Sequence, residues 1–176
     1  MGRYLYYKED TKNRLSPEHV LYNMATGSGK TLIMAGLILE KYQQGERNFI
    51  FFVNNENILT KTRDNFLTAG ASKYLFAEKI VLNNQVIPVR EVTDFSDPNA
   101  INIVFTTIQK LHQDLNTPRE NRLSYEQFED ISVVLLADEA HHLNAGLNAR
   151  EKKDNTSWTS TIENIQKTAK KSSLLE

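Results

Sequence analysis

The sequence predicts an α/β domain with a mainly parallel central sheet and helices on both faces, and three observations carry that expectation. Short β-rich runs alternate with stretches of helical periodicity, the pattern of parallel strands joined by helical crossovers. A glycine turn, "TGSGKT", stands between a strand-like run and a helix-like one, and the acidic "DEAHH" closes a later apolar run. At 176 residues the chain has the size of one domain with one core.

Taken in order, "HVLYNM" reads as the first strand, because Val20, Leu21 and Tyr22 sit between Pro17 and the glycine turn. From Lys30 to about Gln44 the chain reads as a helix, apolar nearly all round at its start and stopped by Gly45 as C-cap. "NFIFFV", Asn48 to Val53, is the continuous apolar run of a central parallel strand. "NILTKTRDNFLTAG" then reads as a helix reaching Gly70. "KIVLNNQVIPVREV" places Asn83 and Asn84 between two β-rich runs, as a hairpin or an edge excursion. "NIVFTTIQKLHQDL" predicts a strand through Phe105 and a helix after it, and "ISVVLLADEAHH" a strand through about Ala137. The polar "NTPRENRLSYEQFED" between them reads as a surface loop with one helical turn. Trp158, Ile162, Ile165 and Ala169 recur at helical spacing and predict a last helix packed on the sheet.

Composition removes several function classes. With a formal net charge of −1 there is no bulk electrostatic case for nucleic acid or membrane binding. The absence of cysteine rules out a disulfide framework and a thiolate metal site. "LIMAGLIL", Leu32 to Leu39, is the longest apolar run and too short to span a bilayer. "MGRYLYYKED" lacks the apolar core of a signal peptide, so a cytoplasmic protein with no membrane partner is expected.

The turn has the parts needed to cradle phosphates. Gly27 and Gly29 permit backbone conformations barred to other residues, letting amide N–H groups around Ser28 point inward, and the following helix offers its positive end to an anion. Lys30 is expected to reach the β and γ phosphates of ATP, and the Thr31 hydroxyl to sit on Mg²⁺. The plain alternative is a tight turn with no ligand; the lysine-hydroxyl pair after the glycines argues against it. Met24 stands where the full GxxxxGK[ST] pattern has glycine.

"VVLLADEAHH" supplies a second constellation. Val133 to Leu136 feed Asp138 and Glu139, putting two carboxylates at the C-terminal end of a buried strand, the edge where ligands bind in open α/β sheets. Asp138 is expected to hold Mg²⁺ and Glu139 to orient or deprotonate the water that attacks the γ-phosphate. The bland reading is a helix start with acidic residues set against its dipole. His141 and His142 are adjacent, cannot easily converge on one ion, and lack HExxH spacing, so zinc is disfavoured. His141 is expected to relay contacts between the nucleotide site and a neighbouring domain.

A loop of the form "MATGSGKT" looks like that of superfamily 2 helicases and translocases. "LYNMATGSGKTLIMAGLILEKYQQGERNFIFFVNNENILTKTRDNF", "IVFTTIQKL" and "VVLLADEAHHLNA" together resemble the helicase-like motor of the restriction (Res) subunit of type III restriction-modification enzymes, over about Tyr4 to Glu176. The resemblance implies a RecA-like fold, with Thr26 to Thr31 as motif I and Asp138 to His141 as motif II. It makes Asn54 and Asn55, in "FFVNNENI", candidates to touch the DNA backbone, and likewise Thr106, Thr107 and Gln109 in "FTTIQKL". Helix capping competes with that role, at Asn55 or Thr106 for example.

Absences qualify the resemblance. No adenine-reading glutamine stands out between Met1 and Asn23, and after "KKSSLLE" the family continues into a strand, motif III, a second RecA-like domain with arginine fingers, and a nuclease domain. Residues 1–176 are therefore expected to be a single RecA-like fragment of an ATP-driven, DNA-translocating endonuclease, poorly active alone. The implied partners are double-stranded DNA, a modification (methyltransferase) subunit and the absent C-terminal domains. A type I restriction motor or generic DEAD/DEAH helicase shares the skeleton. A non-hydrolysing nucleotide switch is the reading from another class, and Glu139 argues against it.

Overall fold

The computed structural model describes residues 2–6, 18–24, 27–76, 79–95, 97–117, 122–138 and 149–176, with the backbone alone at 2–6, 23 and 149–157. Its strands are β1 (Gly2–Tyr6), β2 (Glu18–Asn23), β3 (Asn48–Val53), β4 (Lys79–Leu82), β5 (Gln85–Glu91), β6 (Ile101–Thr107), β7 (Ser132–Ala137) and β8 (Lys171–Leu175). The helices are α1 (Lys30–Gln43), α2 (Glu56–Leu67), α3 (Ile108–Asn116) and α4 (Ala149–Thr168), with a short 3₁₀ turn at Tyr125–Phe128.

The eight strands make one sheet in the order β1-β2-β8-β7-β3-β6-β5-β4. The six from β2 to β5 run parallel, and an antiparallel strand closes each edge. β3 shows why an uninterrupted apolar run is needed at the centre. Phe49, Phe51 and Val53 face one side, where α1 and α2 pack through Met34, Leu37, Ile38, Leu59 and Phe66. Ile50 and Phe52 face the other, against Ile108, Leu111 and Leu115 of α3 and Ile162 and Ile165 of α4. A strand covered on both faces buries every side chain, and each large apolar one contributes roughly 1.5–3 kcal/mol.

Asn83 and Asn84 stand at φ 50° and 64°, the paired left-handed residues of a two-residue hairpin turn. The hairpin alternative therefore holds, with Leu82 opposite Gln85 and Val81 opposite Val86. Pro88 falls where β5 passes from its β4 partner to its β6 partner, so its missing N–H interrupts neither ladder's interior.

Two strands correct the order expected from sequence. "HVLYNM" belongs to the second strand, because Gly2–Tyr6 pairs antiparallel with it from Asn23 back to His19. The strand expected beyond "KKSSLLE" is that stretch itself: β8 lies between β2 and β7 in the middle of the sheet. Its serines hide it, since Ser172 and Ser173 look like loop residues yet are buried. The Ser173 hydroxyl donates to Glu18 Oε2 at 3.1 Å, and Glu18 also takes the Lys41 ammonium of α1. Lys171 reaches the buried Glu46 carboxylate at 2.7 Å. Polar partners at the N-terminal end thus permit a serine-containing strand inside an apolar sheet.

Candidate nucleotide and nucleic-acid edge

Register decides where the motif residues lie. Val20, Leu175, Leu136, Phe51 and Phe105 form one row across β2, β8, β7, β3 and β6. Past that row, at the C-terminal edge, come Met24 and the glycine turn after β2, Asp138 after β7, Asn54 and Asn55 after β3, and Thr107 as the last residue of β6 with Gln109 just beyond it. β8 alone separates β2 from β7, so the strand ends that lead to the turn and to Asp138 stand roughly 10 Å apart, two inter-strand spacings.

Gly27 and Gly29 have φ of +77° and +92°, and beyond their chain neighbours no atom of the described residues lies within 4 Å of where either Cβ would be. Both glycines and Ser28 are exposed. Gly29 is the N-cap of α1, and its carbonyl accepts from Leu32 N at 3.0 Å and Ile33 N at 3.1 Å. Gly29 has no side chain to cap the helix and no acidic residue of α1 occupies its first turn, which leaves the helix dipole suited to an anion. Lys30 and Thr31, both partly exposed, open the helix at this end. The turn fits a phosphate chain on these grounds.

Asp138 is half-buried, and its backbone N donates to Phe52 O at 3.2 Å, which carries the β7–β3 ladder one residue past the strand. Its position is therefore set by the sheet. Mg²⁺ keeps most of its waters and is commonly held by one or two carboxylates with substrate phosphates; Asp138 with the Thr31 hydroxyl is a donor set of that kind. No group of three metal-ligating side chains occurs among the described residues. Thr26, Glu139 and His141, with His142, lie outside the described residues.

The polar residues after β3 and β6 fall into three kinds. Asn55 caps α2, its Oδ1 accepting from Asn57 N at 2.7 Å, and Thr107 caps α3, accepting from Lys110 N at 3.2 Å. The cap expected at Thr106 is thus one residue later. Thr106 itself is 4% exposed and its hydroxyl donates to Thr107 O, so it has no surface to offer a ligand. Gln109 reaches across to Asn54, donating from Nε2 to Asn54 Oδ1 at 2.9 Å and Asn54 O at 3.2 Å. Asn54, Asn55, Thr107 and Gln109 line an open cleft of about 660 Å³ with Glu56, Asn57, Lys110 and Gln113. Sequence reading missed Lys110 and Gln113; their signal is spacing on α3, where Gln113 follows Gln109 by four residues and Lys110 by three and so shares a polar face with both.

The family of type III restriction enzyme res subunits matches residues 7–176. The chain belongs to that family. This Res-family domain is 50% identical over 137 residues to the "Probable type III restriction-modification enzyme HindVIP Res subunit" of Haemophilus influenzae. That match covers 77% of the domain and 26% of the relative, so the chain spans about a quarter of the length of the curated relative it matches. No solved structure matches the Res-family domain. No helix among the described residues is long and apolar enough to cross a membrane.

Proposed function

We propose that the chain is the ATP-binding motor domain of a type III Res subunit, acting in the cytoplasm and coupling ATP hydrolysis to movement on double-stranded DNA and to its cleavage by the longer protein. The observation that carries this reading is the register placing the glycine turn and Asp138 on one edge, separated by a single strand. Amide N–H groups of residues 27–31 bind the phosphates, and Lys30 pairs with the β and γ oxygens. Thr31 and Asp138 would hold Mg²⁺, which would supply positive charge beside the phosphates. Glu139 orients the attacking water and takes its proton, and His141 passes the state of the nucleotide to a neighbouring domain. The cleft that Asn54, Asn55, Thr107 and Gln109 line is the side turned to the DNA backbone. The domain is read as the first RecA-like domain, with the second RecA-like and nuclease domains in the rest of the subunit and the modification subunit as partner. Without arginine fingers from a second domain its turnover is expected to be about 10³ to 10⁵-fold lower.

The test compares Lys30→Ala and Glu139→Gln in the full-length subunit, reading nucleotide affinity and ATP turnover with and without duplex DNA. Lys30→Ala is expected to weaken nucleotide binding, and Glu139→Gln to keep binding while lowering turnover about 10² to 10⁴-fold. Turnover that survives the glutamine change, or affinity that survives the alanine change, overturns the reading.

A further inference from the structure

Resting on the motor reading, we infer that Gln109 is a positioning residue: it does not touch DNA but pins Asn54 so that the Asn54 amide NH₂ is the group presented to a phosphodiester. β3 and β6 are paired through Val53 and Thr107, after which the two chains part, β3 into a loop and β6 directly into α3. Asn54 stands just past that last rung, with no strand partner of its own. Its neighbours cannot fix it, because Asn55 and Thr107 are each committed to capping their own helix. Gln109 can. It projects from the first turn of α3, a helix seated by Ile108, Leu111 and Leu115, all at most 5% exposed.

Orientation follows from hydrogen-bond chemistry. The Asn54 main-chain carbonyl can only accept, so the Gln109 group 3.2 Å from it is the NH₂. That same NH₂ lies 2.9 Å from the Asn54 side chain, which therefore turns its Oδ1 toward Gln109. Both donors of Gln109 are spent on Asn54, and the Oε1 it has left is an acceptor, useless to a phosphate whose oxygens also accept. Asn54 is left the other way round: both its carbonyl oxygens are taken, and its Nδ2 makes no hydrogen bond among the described residues. Two N–H donors thus remain on a residue that lines the cleft with Asn57, Lys110 and Gln113. A Gln109 that contacted DNA itself would have to release Asn54 first.

A double-mutant cycle in the full-length subunit separates the two roles, with affinity for a fluorescein-labelled duplex read by anisotropy. Asn54→Ala and Gln109→Ala are each expected to weaken binding about five- to tenfold, and the double variant no more than Asn54→Ala alone. Asn54→Asp keeps an acceptor for Gln109 but removes the donors, and is expected to bind at least as weakly as Asn54→Ala. The duplex concentration giving half-maximal ATPase stimulation should rise in step, with the rate at saturating duplex little changed. A double variant whose loss is the product of the single losses overturns the inference, as does Gln109→Ala or Asn54→Ala binding like the parent. A parent that binds no duplex fails earlier and differently, because it sinks the DNA part of the motor reading before any variant is compared.

Discussion

Gly29 stands at φ +92°, and among the described residues nothing beyond its chain neighbours lies within 4 Å of a Cβ built there, so alanine costs chiefly backbone strain. Gly29→Ala is expected to lower stability by about 1–2 kcal/mol in urea unfolding, with no clash to relieve by further substitution. His19 behaves differently. Its Nε2 lies 3.3 Å from Glu176 Oε2, and that carboxylate raises the imidazole pKa above its ordinary 6.5 against the opposing effect of burial. A raised folded pKa means the pair stabilises fully below the unfolded value and is lost as pH climbs through the folded one. Melting temperature should therefore fall with rising pH above 6.5, more steeply in the parent than in His19→Gln. At this scale the left-handed glycines of the turn and the carboxylate that follows β7 were legible in the sequence, since each follows from its residue type and its immediate neighbours. The Asn54–Gln109 bond was not, because it joins positions 55 residues apart that meet only when β3 and β6 pair.

Among the elements, β8 depends most on distant partners. Lys41 is buried and its ammonium meets Glu18, which also accepts from Ser173. Lys41→Met removes the cation that meets the partly exposed Glu18 carboxylate and is expected to cost about 1 kcal/mol; adding Glu18→Leu should return much of it, since an apolar pair can replace a partly buried ionic one. Equilibrium unfolding of the single and double variants checks both. β3, α1 and the hairpin were readable because their signals are local: an apolar run, a glycine stop after a helical pattern, and an Asn-Asn turn. "KSSLL" has no such signal. Its place in the sheet comes from hydroxyl and ammonium groups finding Glu18 and Glu46, residues that precede it by more than a hundred positions.

At the scale of the whole molecule, the sheet graded from apolar centre to polar edge sets the order of opening. Amides of β3 and β7, paired on both sides and buried on both faces, are expected to exchange slowest with deuterium. Those of β4, at the edge with Val81 72% exposed, should exchange fastest among the strands. Phe51, fully buried against Phe66 and Phe105 at 5.6 and 5.7 Å, holds the centre; Phe51→Ala is expected to cost about 3–5 kcal/mol and to speed exchange throughout the sheet. By itself, the sequence determined the α/β class, the glycine turn and the carboxylate that ends an apolar strand, because alternating periodicity and residue chemistry are properties of neighbours along the chain. Tertiary structure alone decided that β8 separates the turn from Asp138, that Thr106 is buried while Thr107 caps, and that Gln109 holds Asn54. Each of these is set by which strands pair and in what register, and pairing is determined by burial and hydrogen-bond satisfaction summed over the whole sheet.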